Sequence, residues 1–260
     1  MKYVELTGNP RHDKLISLVM SNGYTSNEEL AKILDVTPQT IRRDIRQLSN
    51  AGLISRHHGG AGRISSIMNM EFSKRETSYI EEKTAIANDV AKLIPDGATL
   101  FITIGTTVEF VAKALENKSN LRIITNSIRV ANILYQHKGF EVITLGGILR
   151  SHNGGIIGSS AISLVSDFRA DYLITSVGAI DSDGSLLDFD INEVSVVKTM
   201  INHSRHFVLI GDHTKFHASA AVQLGNISQV STFITDSKPP TSIINILKEN
   251  KVELRIAKKS

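Results

Sequence analysis

From residue 80 onward the chain alternates two kinds of segment, and that alternation leaves few folds open to it. "EEKTAIANDVAKLI" carries apolar residues at helical spacing, "PDG" turns, and "ATLFITIG" is a β-prone run. The cycle then repeats. "LRIITN", "FEVITLGG", "DYLITSVG", "HFVLIGD", "TFITD" and "VELRIA" are further extended runs, with helical patterns over 107–117, 128–137, 159–168, 192–203 and 241–250 between most of them. Strands that are apolar almost throughout must be covered on both faces, which is the condition of a parallel sheet with helices above and below it. A Rossmann-like α/β domain is expected over residues 81–260.

In such sheets ligands gather beyond the carboxyl ends of the strands. "ITIGTTVEF" places Gly105, Thr106 and Thr107 between a strand and a helix, where amides, hydroxyls and a helix N-terminus can hold phosphate. Taken alone, the stretch fits a plain strand-to-helix turn with a threonine cap equally well. It has company: "TNS" at 125–127, "GGILRS" at 146–151 and "DHTKF" at 212–216 close other strands. Arg150 and Lys215 would supply cationic charge to an anionic ligand there. The most acidic stretch, "GAIDSDGSLLDFDINEV", lacks the ligand pattern of a calcium loop, and its carboxylates suit acid–base work or bonding to sugar hydroxyls. No G-x-S-x-G or H-E-x-x-H motif is present.

The first 63 residues read differently. "TPQTIRRDIRQL" starts as a helix, with Thr37 as cap and Pro38 in the first position. At about 100° per residue, Ile41, Ile45 and Leu48 share one stripe. Gln39, Arg42, Arg43 and Arg46 lie opposite, with Thr40 beside them and Asp44 on the flank. Ala51-Gly52 suits the helix end. Upstream, "SNEEL" offers a capping box, Leu30, Ile33 and Leu34 give an apolar face, and only "DVTP" separates the two helices. That is the spacing of a helix-turn-helix. A helix over about 11–21, with Leu15, Ile16, Leu18 and Val19, would cover the pair. "LISRHHGGAGRI" reads as a hairpin carrying Arg56, His57, His58 and Arg63, a basic wing. Thr37, Gln39, Thr40, Arg42, Arg43 and Arg46 are the expected DNA-facing residues, with Arg56, His57 and His58 on the flanking backbone.

Charge is distributed to match. The net charge is only +3, but residues 1–63 hold nine basic and six acidic residues whereas 64–260 are balanced, so the surplus sits wholly on the small domain. With 260 residues, 41% of them hydrophobic, a second cored domain is expected after a linker at 64–80. Cysteine is absent, which excludes thiolate metal sites and fits a reducing cytoplasm. No apolar run reaches the roughly 20 residues of a membrane span, and the start lacks a signal peptide's apolar segment. The expectation is a cytoplasmic protein without membrane association, metal or cofactor.

"TPQTIRRDIRQLSNAGLISRHHGGA", "TLFITIGTT", "SNLRIITN", "GGIIG", "IDSDGSLLDFD" and "DHTKF" together resemble the DeoR family of bacterial transcriptional repressors over nearly the whole chain. The resemblance implies a winged helix-turn-helix followed by an α/β effector domain akin to ribose-5-phosphate isomerase that senses rather than catalyses. It implies a dimeric or tetrameric homo-oligomer bound to double-stranded operator DNA. A phosphorylated small molecule, glycerol 3-phosphate or another sugar or polyol phosphate, would release that DNA. On this chain the effector site would be Gly105, Thr106 and Thr107, with Thr125, Asn126, Glu193 and Lys215 around it, and the strand-end reading adds Arg150. Two departures stand out. Family members usually have Asp where this chain has Thr103, and a Lys-Arg pair where it has Val197-Lys198. Two rival readings remain: a sugar-phosphate isomerase with an accessory nucleic-acid module, Asp181 or Glu193 acting as base, and a second domain that serves only to oligomerise.

Overall fold

A computed structural model describes residues 7–22, 24–51, 53–57, 59–62 and 72–258. Gly52, His58, Arg63 and the linker up to residue 71 lie outside the described residues. The chain divides into two compact units, one built on Met1–Met70 and the other on Glu71–Phe216 and Ala221–Ser260.

The smaller unit runs α1 (Pro10–Asn22), β1 (Tyr24–Ser26), α2 (Asn27–Leu34), α3 (Pro38–Asn50), β2 (Ser55–His57) and β3 (Gly60–Gly62). Leu15, Ile16 and Val19 of α1 meet Leu30 and Ala31 of α2 and Ile41, Ile45 and Leu48 of α3 in one core. Thr37 caps α3, its hydroxyl accepting from the Thr40 amide at 3.2 Å, with Pro38 in the first turn. The turn before it closes with Asp35 in the left-handed conformation, φ 52°.

Two expectations are corrected here. Ile33 is exposed, because Leu30 and Ala31 centre the buried stripe of α2 and turn it outward. Asp44 is buried rather than flanking. It lies about 60° from Ile41 on the wheel, inside the packed arc, and α1 satisfies it. Arg11 donates from Nε at 2.7 Å and from Nη2 at 3.1 Å, and His12 Nε2 lies 3.1 Å away. Burial alone would raise the Asp44 pKa, but these donors outweigh it and hold the carboxyl below its ordinary value. The wing is three-stranded, order β1-β3-β2, because Tyr24–Ser26 pairs antiparallel with Gly60–Gly62. Gly60 permits that approach, since a Cβ there would collide with the Thr25 carbonyl oxygen.

The larger unit continues with α4 (Phe72–Thr77), α5 (Ile80–Leu93), β4 (Thr99–Ile102), α6 (Thr106–Ala114), β5 (Arg122–Thr125), α7 (Ile128–Leu134), β6 (Glu141–Thr144), β7 (Ile148–Leu149), β8 (Ile156–Ile157) and α8 (Ser159–Ser166). It closes with β9 (Ala170–Ser176), β10 (Ala179–Ile180), β11 (Ser185–Asp188), α9 (Ile191–Asn202), β12 (Ser204–Ile210), β13 (Val222–Asn226), β14 (Thr232–Thr235), α10 (Thr241–Glu249) and β15 (Glu253–Ile256). The seven expected strands form one sheet, order β15-β14-β12-β9-β4-β5-β6, with every pairing parallel. Successive residues point to opposite faces. Leu100, Ile102, Ile123, Ile174, Val208, Ile210 and Ile234 pack with α5, α6 and α7, while Phe101, Ile124, Leu173, Leu209 and Phe233 pack with α8, α9 and α10. Two further pieces had no counterpart in the sequence reading: the hairpin β7–β8 and the antiparallel sheet β10-β11-β13.

Phe233 is fully buried in β14 beneath α10, 6.1 Å from the Phe216 ring. Phe233→Ala is expected to cost the larger unit about 3–5 kcal/mol, read as a lowered midpoint in denaturant unfolding followed by hydrogen exchange of the strand amides. Exchange rates that stay unchanged would show that the cavity is relieved by repacking.

Candidate functional site

On α3 the packed residues leave Gln39, Arg42, Arg43 and Arg46 exposed on one side, with Thr40 half-buried. Among the described residues none of these arginines, nor exposed Arg56, is held in an ion pair, so their donors are available to phosphate and base edges. Thr37 is also exposed, and its hydroxyl shares a 2.9 Å hydrogen bond with that of Thr40, so its first task is capping. His57 sits on the exposed edge of the wing, its ring 6.0 Å from Tyr24.

In the larger unit the strand order places the switch point between β4 and β9. From β4 the chain proceeds outward through β5 and β6, then returns to β9 on the other side and proceeds through β12, β14 and β15. The carboxyl ends of β4 and β9 therefore flank a crevice, the usual ligand position in such sheets. A small cavity there is lined by Thr103, Thr175, Ser176, Asp188, Glu193 and Val197, among others.

Gly105 leads from β4 into α6 with φ 142°, a conformation that side chains rarely adopt, and a Cβ would press on Val108 at 3.3 Å. Thr106 and Thr107 follow, buried, and α6 has no side-chain cap, so its first amides are free to receive an oxyanion. Beside it, β5 ends in Thr125 and Asn126, both wholly buried. The Thr125 hydroxyl accepts from the Ser127 amide at 3.0 Å. Both polar atoms of the Asn126 amide lack a hydrogen-bond partner. Buried amides are nearly always satisfied, so this one marks a place where a polar group is wanted.

Thr103 donates to Thr175 Oγ1 at 2.8 Å, and Thr175 donates onward to the Ser176 carbonyl at 3.2 Å. A satisfied, neutral hydroxyl chain thus forms this part of the crevice wall. Val197 lines the cavity while Lys198 is exposed, so Lys198 brings no charge into it.

Arg150 is differently placed from its expected role. Its Nη1 lies 2.8 Å from Asp190 and its Nε 3.7 Å from Glu193, so its charge is taken up by carboxylates. Glu193 is buried, accepts from Asn153 Nδ2 at 2.8 Å, and has its pKa raised by burial. Asp190 caps α9 instead of facing a ligand, and Asp183 accepts from the Ser185 amide at 2.9 Å in a turn. Lys215, on the short turn after β12, has its pKa lowered by burial although Asp212 and Asp188 pull it up. Among the described residues no carboxylate reaches Lys215 within ion-pair distance.

Four groups escaped the sequence reading. Lys83 of α5 is buried, which pushes its ammonium down to about 8. Asp212 is buried; burial alone would raise its pKa, but Lys215 and Thr214 outweigh it and lower the value. Asn153 comes from the unforeseen hairpin loop. Arg75 comes from the stretch read as linker. Only Asp212 had a signal, since it opens "DHTKF" beside Lys215.

A helix-turn-helix with an exposed basic helix, joined to a crevice-bearing α/β unit, defines a ligand-responsive transcription regulator. The chain belongs to the DeoR family: residues 11–67 match the DeoR-like helix-turn-helix domain and residues 78–237 the DeoR C terminal sensor domain. It is 61% identical over 254 residues to the HTH-type transcriptional repressor CsqR of Escherichia coli (strain K12), covering 98% of this chain and 97% of that one. It is 48% identical over 246 residues to the Glycerol-3-phosphate regulon repressor of the same organism, covering 95% and 98%. Among solved structures, ribose 5 phosphate isomerase A from Neisseria gonorrhoeae aligns over 52% of this chain and 53% of that one, with 17% identity and a TM-score of 0.39. The protein is a transcriptional repressor, a regulator rather than an enzyme, that binds DNA and senses a small molecule. Among the described residues no helix is long and apolar enough to cross a membrane.

On the turn after β12, His213 Nδ1 lies 2.6 Å from Asp236 and its ring packs edge-on to Tyr79 at 5.2 Å. The bond to Asp236 raises the imidazole pKa despite burial. A raised pKa gives stability that is complete below the ordinary value near 6.5 and lost as pH climbs through the raised one. Sensor-domain stability is therefore expected to fall as pH rises above about 6.5, and Asp236→Asn should flatten that part of the profile. An unchanged pH slope in thermal unfolding of the variant would refute the assignment.

Proposed function

We propose that this repressor controls a regulon for glycerol or sugar-phosphate catabolism and leaves its operator when a phosphorylated effector, first among them glycerol 3-phosphate, occupies the β4–β9 crevice. The observation that carries this reading is the uncapped start of α6 beside the unsatisfied Asn126 amide, with Lys215 on the turn after β12 and, among the described residues, outside ion-pair reach of any carboxylate. Gly105, Thr106 and Thr107 hold the phosphate, Lys215 balances its charge, and Asn126 and Glu193 meet the hydroxyls. Thr125 shapes the floor. Arg150 acts indirectly, fixing Glu193 and Asp190 on the rim. The name of the 48%-identical relative supports glycerol 3-phosphate, while the 61%-identical one names no ligand. Divergence at Thr103 and Val197 makes other phosphate esters necessary in any trial.

On the DNA side, Gln39, Thr40, Arg42 and Arg43 approach the bases, Arg46 takes phosphate, and Arg56, His57 and His58 follow the flanking backbone. The residues 64–80 connect the two functions. A two-fold homo-oligomer, dimer or tetramer, would match a palindromic operator.

Fluorescence anisotropy of an operator fragment tests both halves at once. Glycerol 3-phosphate, but not glycerol, is expected to weaken DNA binding by about 5- to 150-fold, the range of ordinary allosteric couplings. Arg43→Ala should weaken DNA binding about 5- to 100-fold with effector affinity intact, and Lys215→Ala should do the reverse. Loss of both functions in either folded variant argues against separable sites. Indifference to glycerol 3-phosphate with a response to ribose 5-phosphate or glucose 6-phosphate would reassign the effector.

A further inference from the structure

We propose that Arg75, on the short helix α4 ahead of the sensor sheet, is a second cation of the effector site, alongside Lys215. The inference rests on the reading that the effector is a phosphate ester. It places a ligand-binding residue on the segment that follows the DNA-binding domain in the chain.

Arg75 is only partly exposed, and its Nε is buried without a hydrogen-bond partner. A guanidinium has five N–H donors in a fixed fork, and leaving one buried and unmet is costly unless something fills the place. The residue is held at two points, its side chain by Phe72 and its main chain by Lys83. Its guanidinium carbon lies 5.4 Å from the Phe72 ring centroid, and Lys83 Nζ donates to the Arg75 carbonyl oxygen. Arg129, anchored on Glu109 of α6 at 2.7 Å and on Glu76 of α4, lies 4.9 Å from the same Phe72 ring. That network fixes α4 against the helix whose first turn opens the crevice.

The charges acting on Arg75 are those of Asp188, Glu193 and Asp212, and the first two line the crevice cavity. None of the three reaches it within ion-pair distance among the described residues. Lys83 and Lys215 feel Arg75 in turn as a like charge. Asp212 acts on all three cations, and Asp188 on Arg75 and Lys215, yet among the described residues none of these carboxylates lies within ion-pair distance of them. The buried Arg75 Nε still lacks an acceptor, and a forked guanidinium is the donor best matched to a tetrahedral phosphate.

The test uses the full chain, with glycerol 3-phosphate, ribose 5-phosphate and inorganic phosphate titrated calorimetrically into wild type, Arg75→Ala, Arg75→Lys and Lys92→Ala. Lys92 is an exposed cation of α5 paired with Asp89 and serves as the control. Removing Arg75 is expected to weaken binding of the preferred ester about 10- to 100-fold, the equivalent of one or two charge-assisted hydrogen bonds. Lysine should restore part of the loss and Lys92→Ala should change nothing. Arg75→Ala binding the ester as wild type does would overturn the inference and leave the phosphate reading standing. Wild type binding none of the three would overturn both. Should the alanine variant fail to fold, Arg75→Gln decides by the same criteria.

Discussion

Everything in the sensor domain depends on a sheet that must be buried on both faces. Parallel strands cannot be joined by tight turns, so each pair needs a crossover, and the crossovers carry the covering layers. All seven strands then end on the same edge, so every loop that leaves a carboxyl end adds to one rim. The strand order reverses once, between β4 and β9, and there the two loops part and leave room. The hydroxyl chain of Thr103 and Thr175 lies where the strands separate. With both hydroxyls satisfied, that spot on the crevice wall is neutral.

The cations themselves set the energetics. Lys83, Lys215 and Arg75 all have lowered pKa values, and in each case burial is the largest cause. A protein built only for stability would pair them or replace them, because unpaired buried charge is destabilising. A binding site can keep them. The ligand returns part of what desolvation took, and that return appears as affinity. The same reasoning separates Arg150 from the others. With Asp190 at 2.8 Å and Glu193 close by, it is already neutralised, so its contribution is to hold the rim in place.

How much was legible in the sequence follows from which signals are local. The seven strands and the helices between them announce themselves because each carries its own period, and the recognition helix does so through Thr37, Pro38 and the Ile41–Ile45–Leu48 stripe. Asp44 was misjudged because a wheel drawn from apolar residues alone underestimates the width of a packed arc, and only Arg11 and His12, more than thirty residues away, make its burial tolerable. β7, β8 and β10 are two residues long, too short for any period to show. The place of Asn153 on Glu193 depends on that hairpin, and the place of Arg75 on a helix of six residues in a polar stretch. The gap at Asn126 is of another kind: the residue was foreseen, but its lack of partners is a property of the folded surroundings.

Release of DNA requires that the effector bind one arrangement of the protein better than another, since a ligand that binds both equally shifts nothing. Within the sensor domain the chain Glu109–Arg129–Glu76 is suited to such a bias. It begins on α6, whose N-terminus opens the crevice, and ends on α4, the described element that follows the DNA-binding domain in sequence. The fork of Arg129 serves both carboxylates at once, with Nε and Nη2 on Glu109 and Nη2 also on Glu76. A small displacement of α6 must therefore either carry α4 along or break a bond. Coupling of about 1–3 kcal/mol is enough to change DNA affinity by one to two orders of magnitude. That is the scale of one charge-assisted hydrogen bond gained or lost. A switch built on this chain needs no large rearrangement of the sheet, only an effector whose binding shifts α6 and, through Arg129, α4.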